Sequence, residues 1–422
     1  MNGHIFTRIV LRVTILALVA VPVRGQDRSH RLSELIAEAM RENPEILAAQ
    51  KRYEAARQRP SQVSSLPDPM FSPGYSSNGR PWPGAGLGTE PTSQIGFMVS
   101  QEVPFPGKRK LAGNMATQEA EAGWQQYQQI QLGVVSRLKQ AYYRRAYAFA
   151  AVDVLDRNLQ LLDNLLRITE ARYQVGRAAQ QDVFKAQTQI SILETRRLQL
   201  EREKRAREAE INSVVNRPPG SALDRPEELR PLDLPTRLED IYAAARENSP
   251  MLRRDQNMIE RAEIAVNMAR KEYYPDFTLN GGYYNMGRMP DMFMFRADFK
   301  IPLYFFRKQR AGVTEKAQTL VESRKTYEAT NQGLHFRLQD DYLMAQTSEQ
   351  LVRIYRETVI PQASFALESS LASYETSTVD FLTVFTNYIT VVEYELNYYE
   401  ELQNLYVALS RLEEMTAMPL IP

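Results

Sequence analysis

A spaced run of four methionines offers potential metal ligands in the 422-residue sequence. Thioether sulfur is a soft ligand that suits Cu(I). The four are Met286, Met289, Met292 and Met294. The alternative interpretation, which we prefer, is an extracellular loop followed by strand residues near a membrane surface. The histidines His4, His30 and His335 are spread along the chain, so we predict no clustered metal site and no cofactor.

No other pattern predicts enzyme chemistry. The sequence has no glycine-rich phosphate loop, no nucleophile with a nearby base and no HExxH motif. It has no cysteine, which excludes disulfides, thiolate metal sites and a lipidated N-terminal cysteine. The net charge is only +1, whereas a nucleic-acid-binding protein needs a basic face. We therefore expect neither an enzyme nor a nucleic-acid-binding protein.

The N-terminus predicts export. Arg8 and Arg12 precede the apolar run "VTILALVAVPV", which is too short to cross a bilayer as a helix. Val23 and Gly25 suit the −3 and −1 positions of a cleavage site, so residues 1–25 are predicted to be a signal peptide rather than a short core helix. No other segment approaches about 18 apolar residues, so any membrane-spanning part is expected to be a β-barrel.

The chain after this segment contains two similar halves. The stretch "RLSELIAEAMRENPEILAAQ" resembles "RLEDIYAAARENSPMLRRDQ", and later landmarks follow in the same order. We predict one structural repeat over 26–230 and a second over 231–422, each with short helices, two strands and a helical hairpin. The predicted strands cover about 68–78, 92–103, 275–285 and 291–302, and the predicted hairpins cover about 108–214 and 307–415.

The hairpins are too long for a globular domain. Their first helices are predicted to run from about 109 to 174 and from about 307 to 375, and a helix of that length is roughly 100 Å long. Apolar residues recur every three to four positions, which is typical of coiled-coil packing. One seam consists of Leu155, Leu159, Leu162 and Leu166, and another of Leu161, Leu165 and Ile168. Two seams on one helix favour neighbours on both sides, as in the wall of a tube, over a simple bundle.

The strands alternate between apolar and polar residues. In "TSQIGFMVSQEV", Ile95, Phe97 and Val99 share one face, and "MFMFRADFKI" repeats the pattern. This alternation is typical of a transmembrane barrel strand, and equally of a half-buried strand in a soluble sandwich. One chain supplies about four strands, whereas the smallest membrane barrels need eight. A barrel would therefore close between two or three chains.

The sequence resembles the TolC-like outer-membrane efflux proteins. The resemblance covers nearly the whole exported chain and depends on "QEVPFPGKRK" and on the hairpin turns "RYQVGRAAQQDV" and "YETSTVDFLTV". The first of these is similar to the branch that serves heavy-metal and drug exporters of the RND type. The resemblance implies an α+β membrane protein: a homotrimer whose 12-strand β-barrel in outer-membrane lipid continues into a 12-helix periplasmic α-barrel. It also implies a periplasmic adaptor and an inner-membrane RND-type pump as partners.

The resemblance assigns an acidic ring at the hairpin turns. The matching positions are Asp182 and Asp380, the latter only with a three-residue gap. Six carboxylates from three chains would concentrate cations near the axis. The alternative is that each acid stabilises the start of a helix. The family's gating arginine after the second turn is not matched, because Thr378 or Val379 stands there.

The hairpin turns also match the region where family members contact the adaptor. The candidate contacts are Gly176, Arg177, Ser377 and Thr378. The alternative is ordinary turn chemistry.

Two segments are predicted to join the membrane part to the periplasmic part. The first contains Pro104, Phe105, Pro106, Gly107 and Lys108, and the second contains Pro302, Tyr304 and Phe305. Prolines can end a strand and begin a helix without leaving amide donors unpaired. We expect Phe105 at the membrane interface and Lys108 in contact with water or anionic head groups.

Together these features predict a passive exit duct in the outer membrane. It would conduct drugs or metal ions from an adaptor and pump to the exterior. The alternative is a periplasmic coiled-coil adaptor, which would carry one hairpin rather than two.

Overall fold

The computed structural model describes residues 32–77, 81–234 and 236–421. The predicted signal peptide, 1–25, lies outside the described residues, as does the start of the first repeat. The helices are α1 (Leu32–Glu42), α2 (Pro44–Ala56), α3 (Arg59–Ser64), α4 (Lys108–Gln174), α5 (Gln180–Val214), α6 (Leu238–Asn248), α7 (Pro250–Lys271), α8 (Lys308–Ile354), α9 (Ile360–Glu375) and α10 (Phe381–Thr416). The strands are β1 (Met70–Ser76), β2 (Gln94–Val103), β3 (Asp276–Asn285) and β4 (Met292–Lys300).

The short helices differ between the two halves at the break before α2 and α7. The Asn43 side chain accepts hydrogen bonds from the amides of Glu45 and Ile46, at 2.9 and 3.1 Å, and so caps α2. Its Nδ2 donates to the carbonyl of Val214 at the end of α5, at 2.7 Å. Ser249 holds the matching position before α7 and makes no side-chain capping bond. The Asn43 cap and its bond to α5 are therefore features of the first half, and Ser249 does not repeat the cap.

Helix α4 runs unbroken for 67 residues, about 100 Å. The corresponding helix of the second half runs from Lys308 to Glu375 as predicted, but it contains a π-helical turn, Tyr355–Val359, between α8 and α9. Pro361 follows at once, and its ring would clash with the carbonyl four residues earlier in a regular α-helix. That carbonyl belongs to Glu357, inside the wider π turn. No helix in the described part of the chain combines the length and apolar character of a membrane span.

The long helices pack side by side. Near the sheet, α7 lies between α4 and α8; towards the hairpin turns, α4 packs on α5 and α10, and α10 packs on α9. Of the predicted first seam, Leu155 and Leu162 are fully buried. Of the second seam, Leu165 is buried in the same cluster, but Leu161 is 49% exposed. Within one chain, apolar residues on one side of α4 are thus buried by neighbouring helices, and part of the other side remains exposed.

The strands form one antiparallel sheet in the order β1-β2-β3-β4. β1 and β4 are shorter than the sequence pattern predicted: β1 begins at Met70, after Pro69, and β4 ends at Lys300, two residues before Pro302. The edge strand β1 nevertheless includes Pro73. The register confirms the alternation: Phe71, Val99 and Phe295 fall in one row across Gly281. Phe293 and Phe295 are 78% and 80% exposed, so this apolar face is uncovered in the single chain.

Candidate functional site

The first joint between sheet and helices connects β2 to α4. Gly107 precedes α4 with a φ of 96°, a left-handed conformation that suits glycine. The Phe105 amide donates to Oδ1 of Asp276 at 2.7 Å, and the Phe105 ring stacks on Tyr274 at 4.5 Å. The joint of the first repeat is thereby attached to the segment that leads into β3 of the second repeat.

Lys108 is buried, contrary to the expectation that it contacts water or head groups. Its side chain is only 6% exposed, and Nζ lies 2.9 Å from both carboxylate oxygens of Asp276. Glu272 approaches Nζ at 3.4 Å. The expectation was wrong because the partner, Asp276, lies 168 residues away in the sequence. The cation holds the two repeats together instead of facing the membrane surface.

The second joint connects β4 to α8 and has no such ion pair in the described structure. Leu303, Tyr304 and Phe305 are 69%, 70% and 52% exposed. Lys308, the first residue of α8 and so the counterpart of Lys108, is exposed as well. The two joints therefore share their position in the repeat but not their chemistry.

The first hairpin turn ends α4 with a Schellman motif. Gly176 adopts a φ of 74°, and its amide donates to the Tyr173 carbonyl at 2.9 Å. The Arg177 amide donates to the Arg172 carbonyl at 2.8 Å. These are the two bonds that define the motif, and glycine is the residue it favours.

The second hairpin turn repeats the motif with serine in place of glycine. Ser377 has a φ of 63°, and its amide donates to the Tyr374 carbonyl at 2.9 Å. The Thr378 amide and hydroxyl both donate to the Ser373 carbonyl at 2.9 Å. A left-handed residue with a Cβ is strained by about 1 kcal/mol or more, so the second turn is built against a local preference.

The two predicted ring acids occupy different positions. Asp380 is the N-cap of α10, accepting from the amide and hydroxyl of Thr383 at 3.0 and 2.6 Å. The Thr383 hydroxyl first, and its amide second, lower the pKa of Asp380. Asp182 is the third residue of α5, whose cap position holds Ala179. Asp182 and Asp380 therefore differ by three positions relative to the start of their helices. Asp380 has the helix-capping role that the alternative interpretation predicted.

Arg172 connects the two hairpin turns. Its guanidinium donates to the Tyr374 carbonyl and to the Ser377 hydroxyl, and lies 4.3 Å from the centre of the Tyr374 ring. Tyr374 itself is 4% exposed, with its hydroxyl 3.4 Å from Thr169. Sequence reasoning missed Arg172 because a basic residue in a last helical turn is commonplace.

The methionine segment divides between a loop and a strand. Met286 and Met289 lie in the β3–β4 loop, whereas Met292 and Met294 belong to β4. Within 32–77, 81–234 and 236–421, no group of three His, Asp or Glu side chains could hold a metal ion.

Known proteins share this architecture. A family model described as outer membrane efflux protein matches residues 35–217 and 241–416. The structure of CusC, described with its transmembrane channel formation, is 15% identical, covers 92% of each chain and has a TM-score of 0.78. The outer membrane protein VceC from Vibrio cholerae is 18% identical, with 91% of this chain and 95% of VceC covered and a TM-score of 0.77.

The open state of the MtrE outer membrane channel from Neisseria gonorrhoeae is a further match. It is 16% identical, with 92% of this chain and 88% of MtrE covered and a TM-score of 0.74. At such identities the likeness shows a common fold. No curated protein matches the chain.

Proposed function

The chain belongs to the outer membrane efflux protein family, and we propose that it is the exit duct of a tripartite efflux complex. It is an outer-membrane protein that extends into the periplasm, and its family is one of transport proteins rather than enzymes. The observation that supports this proposal is a sheet with one exposed apolar face, joined directly to helices about 100 Å long. Both halves match the family model, which leaves the single-hairpin adaptor alternative without support.

Three copies would form the duct. Within one chain the sheet ends in two free edges, β1 and β4. Open edges are not tolerated in lipid, so β1 of one copy would pair with β4 of the next. Three copies give twelve strands and a tunnel of twelve long helices, and the number three comes from the family resemblance. The exposed side of Leu161 on α4 supports a further helical neighbour in such an assembly.

The hairpin turns would form the periplasmic mouth. Gly176, Arg177, Ser377 and Thr378 are all exposed and lie at one end of the molecule, so they are available to an adaptor. Arg172 ties the two turns of one chain together, which would favour a narrow mouth until the bond is broken. Movement of solute through the open duct would be passive, with energy supplied by an inner-membrane pump.

Conductance tests the duct itself. The full-length protein, purified from outer membranes and added to planar lipid bilayers, should give discrete single-channel steps. It should also run as an oligomer that heating converts to monomer on gels. A mature protein found soluble in the periplasm, without a heat-modifiable oligomer, would contradict the proposal.

Charge neutralisation tests the acidic mouth. The double variant Asp182→Asn/Asp380→Asn removes two carboxylates per chain, and asparagine keeps the helix cap. We expect lower selectivity for cations over anions, measured from reversal potentials in a salt gradient. The matched control is Asp156→Asn/Asp163→Asn on the exposed side of α4, which should leave selectivity unchanged. Unchanged selectivity in the first variant would leave capping as the only role of Asp380.

A further inference from the structure

All four methionines of the sheet lie on its polar face. They are Met70 on β1, Met98 on β2, and Met292 and Met294 on β4. The register places Met98 and Met294 in one row, on either side of Gly282. Apart from Tyr284, every other residue of that face is polar, charged or glycine, and the opposite, apolar face carries no methionine. Methionines that served only as apolar filling would be expected on the apolar face.

The spacing on β4 lets two sulfurs converge. Met292 and Met294 are two residues apart on one strand, so they share a face and their Cα atoms are separated by about 6.7 Å. Methionine has three rotatable bonds and can bring its sulfur towards a common point between the two. Met294 and Met98 are half-buried, whereas Met292 is 37% exposed, so the group is open to solutes on one side.

An aromatic ring lies on the same face of the sheet as these methionines. Tyr284 pairs with Met292, and its ring leans over Gly282, where an added Cβ would lie 2.8 Å from the ring atom Cε2. Gly96, on the other side of Tyr284, is similarly close to the ring. The two glycines make room for the ring in the space between Met98 and Met294. The π-face of such a ring attracts cations.

Nearby charges are balanced. Arg296 follows Met294 on the same face and forms an ion pair with Asp298 at 3.0 Å. Asn280 donates to the other oxygen of Asp298 at 2.9 Å. The Arg296 guanidinium is thus already neutralised, and it does not oppose a bound cation.

We infer that Met292 and Met294, with Met98 and the Tyr284 ring, form a contact site for a soft monovalent cation such as Cu(I) or Ag(I). Thioethers prefer these ions over hard divalent cations, and the absence of carboxylates from the group agrees with that preference. The site deepens the proposed function, because on that proposal the polar face borders the conducting path and soft metal ions become a class of solute. Ion binding itself does not depend on that proposal.

Silver binding to the full-length protein tests the site. The probe is Ag(I), which needs no reductant, titrated in chloride-free buffer into detergent-solubilised protein. We expect saturable binding and sulfur scatterers around silver in X-ray absorption spectra. The variant Met292→Leu/Met294→Leu should lower the affinity by at least about tenfold and remove the sulfur signal. Leucine preserves volume, so folding, checked by circular dichroism, should be retained.

A matched control and a second measurement separate the possible failures. Met251→Leu/Met258→Leu removes two methionines from α7 and should leave silver affinity unchanged. Equal affinities in all three proteins, or only nitrogen and oxygen scatterers, would overturn the site. Bilayer conductance is recorded on the same samples. Conductance without silver binding rejects the site and keeps the duct, and silver binding without conductance rejects the duct and keeps the site.

Discussion

The two joints between sheet and helices occupy equivalent places in the repeats, yet only the first is locked. Lys108 is buried against Asp276 and Phe105 is stacked on Tyr274, whereas Tyr304 and Phe305 of the second joint are exposed. The partners of the first joint come from the second repeat: Asp276 begins the neighbouring strand β3, and Tyr274 lies just before it. The second joint follows β4, which has no neighbouring strand on its outer side within the described part of the chain. The difference thus follows from position in the sheet: the inner joint lies beside a neighbouring strand, and the edge joint does not.

At the hairpin turns, by contrast, it is the second half that has the additional polar contacts. The first has a relaxed glycine and an uncapped helix start at Ala179, whereas the second combines a strained Ser377 with the Asp380 cap. Arg172 reaches from the first turn to the second, and its counterpart in the second repeat is Ser373, which has no charge to return the contact. The two turns therefore share the same backbone hydrogen bonds but differ in their side-chain contacts.

The largest expected effect comes from removing the locked cation. Lys108→Met leaves Asp276 without its cation in a mostly buried site, and we expect the free energy of unfolding to fall by about 2–4 kcal/mol. The exposed counterpart variant Lys308→Met should change it by less than about 0.5 kcal/mol. Urea denaturation in detergent, followed by circular dichroism, measures both.

A double variant sharpens the interpretation of this result. Lys108→Met/Asp276→Asn removes both charges and should recover part of the loss, because breaking a buried pair costs more than removing it. Strictly additive effects would mean that the two side chains act separately and that the joint is held by its stacked rings. Equal effects of Lys108→Met and Lys308→Met would remove the distinction between the two joints.

The next effect concerns the left-handed residues of the turns. Gly176→Ala places a Cβ at a φ of 74° and should lower the free energy of unfolding by about 1–2 kcal/mol. Gly312→Ala, in the helical part of α8 with no neighbour near the added Cβ, should raise it by about 0.5–1 kcal/mol. Both variants replace glycine by alanine, so opposite changes in the free energy of unfolding would reflect the backbone conformation at each position. A stabilising Gly176→Ala would show that the turn does not need a left-handed residue.

Ser377→Gly tests the connection made by Arg172. Relief of the left-handed strain favours glycine, but the variant loses the hydroxyl that accepts from Arg172, so we expect a net change near zero. In an Arg172→Gln background the hydroxyl has lost this partner, and Ser377→Gly should stabilise by about 1 kcal/mol. Identical effects in both backgrounds, measured by thermal unfolding, would argue against the bond between the turns.

The contrast also explains which features the sequence could predict. Strand faces and turn positions follow from neighbours along the chain, so the alternation of Ile95, Phe97 and Val99 and the left-handed position of Gly176 were accessible. The Lys108–Asp276 pair joins residues 168 apart, and no local pattern signals it.

The link from Arg172 to Tyr374 spans 202 residues and was missed for the same reason. The π turn before Pro361 was missed for another reason: an interior proline predicts a disturbance of the helix, but not whether the helix kinks, breaks or widens into a π turn. The sequence also could not predict which of the two joints is buried, because that depends on the order of the strands in the folded sheet.

The smallest effect concerns the helix starts, where the two turns can be exchanged. Ala179→Asp gives α5 the cap that α10 already has and should stabilise it by about 0.5–1 kcal/mol. At Asp380 the folded pKa is lowered, so its contribution is present above the unfolded pKa of about 3.9 and is lost as pH falls through the folded value. Hydrogen exchange of the Thr383 amide should therefore accelerate relative to Asp380→Asn below about pH 4, since the asparagine cap does not titrate. The same relative protection at pH 7 and pH 3 would mean that the charge of Asp380 adds nothing to its cap, which would leave the carboxylate free for a role in the mouth of the duct.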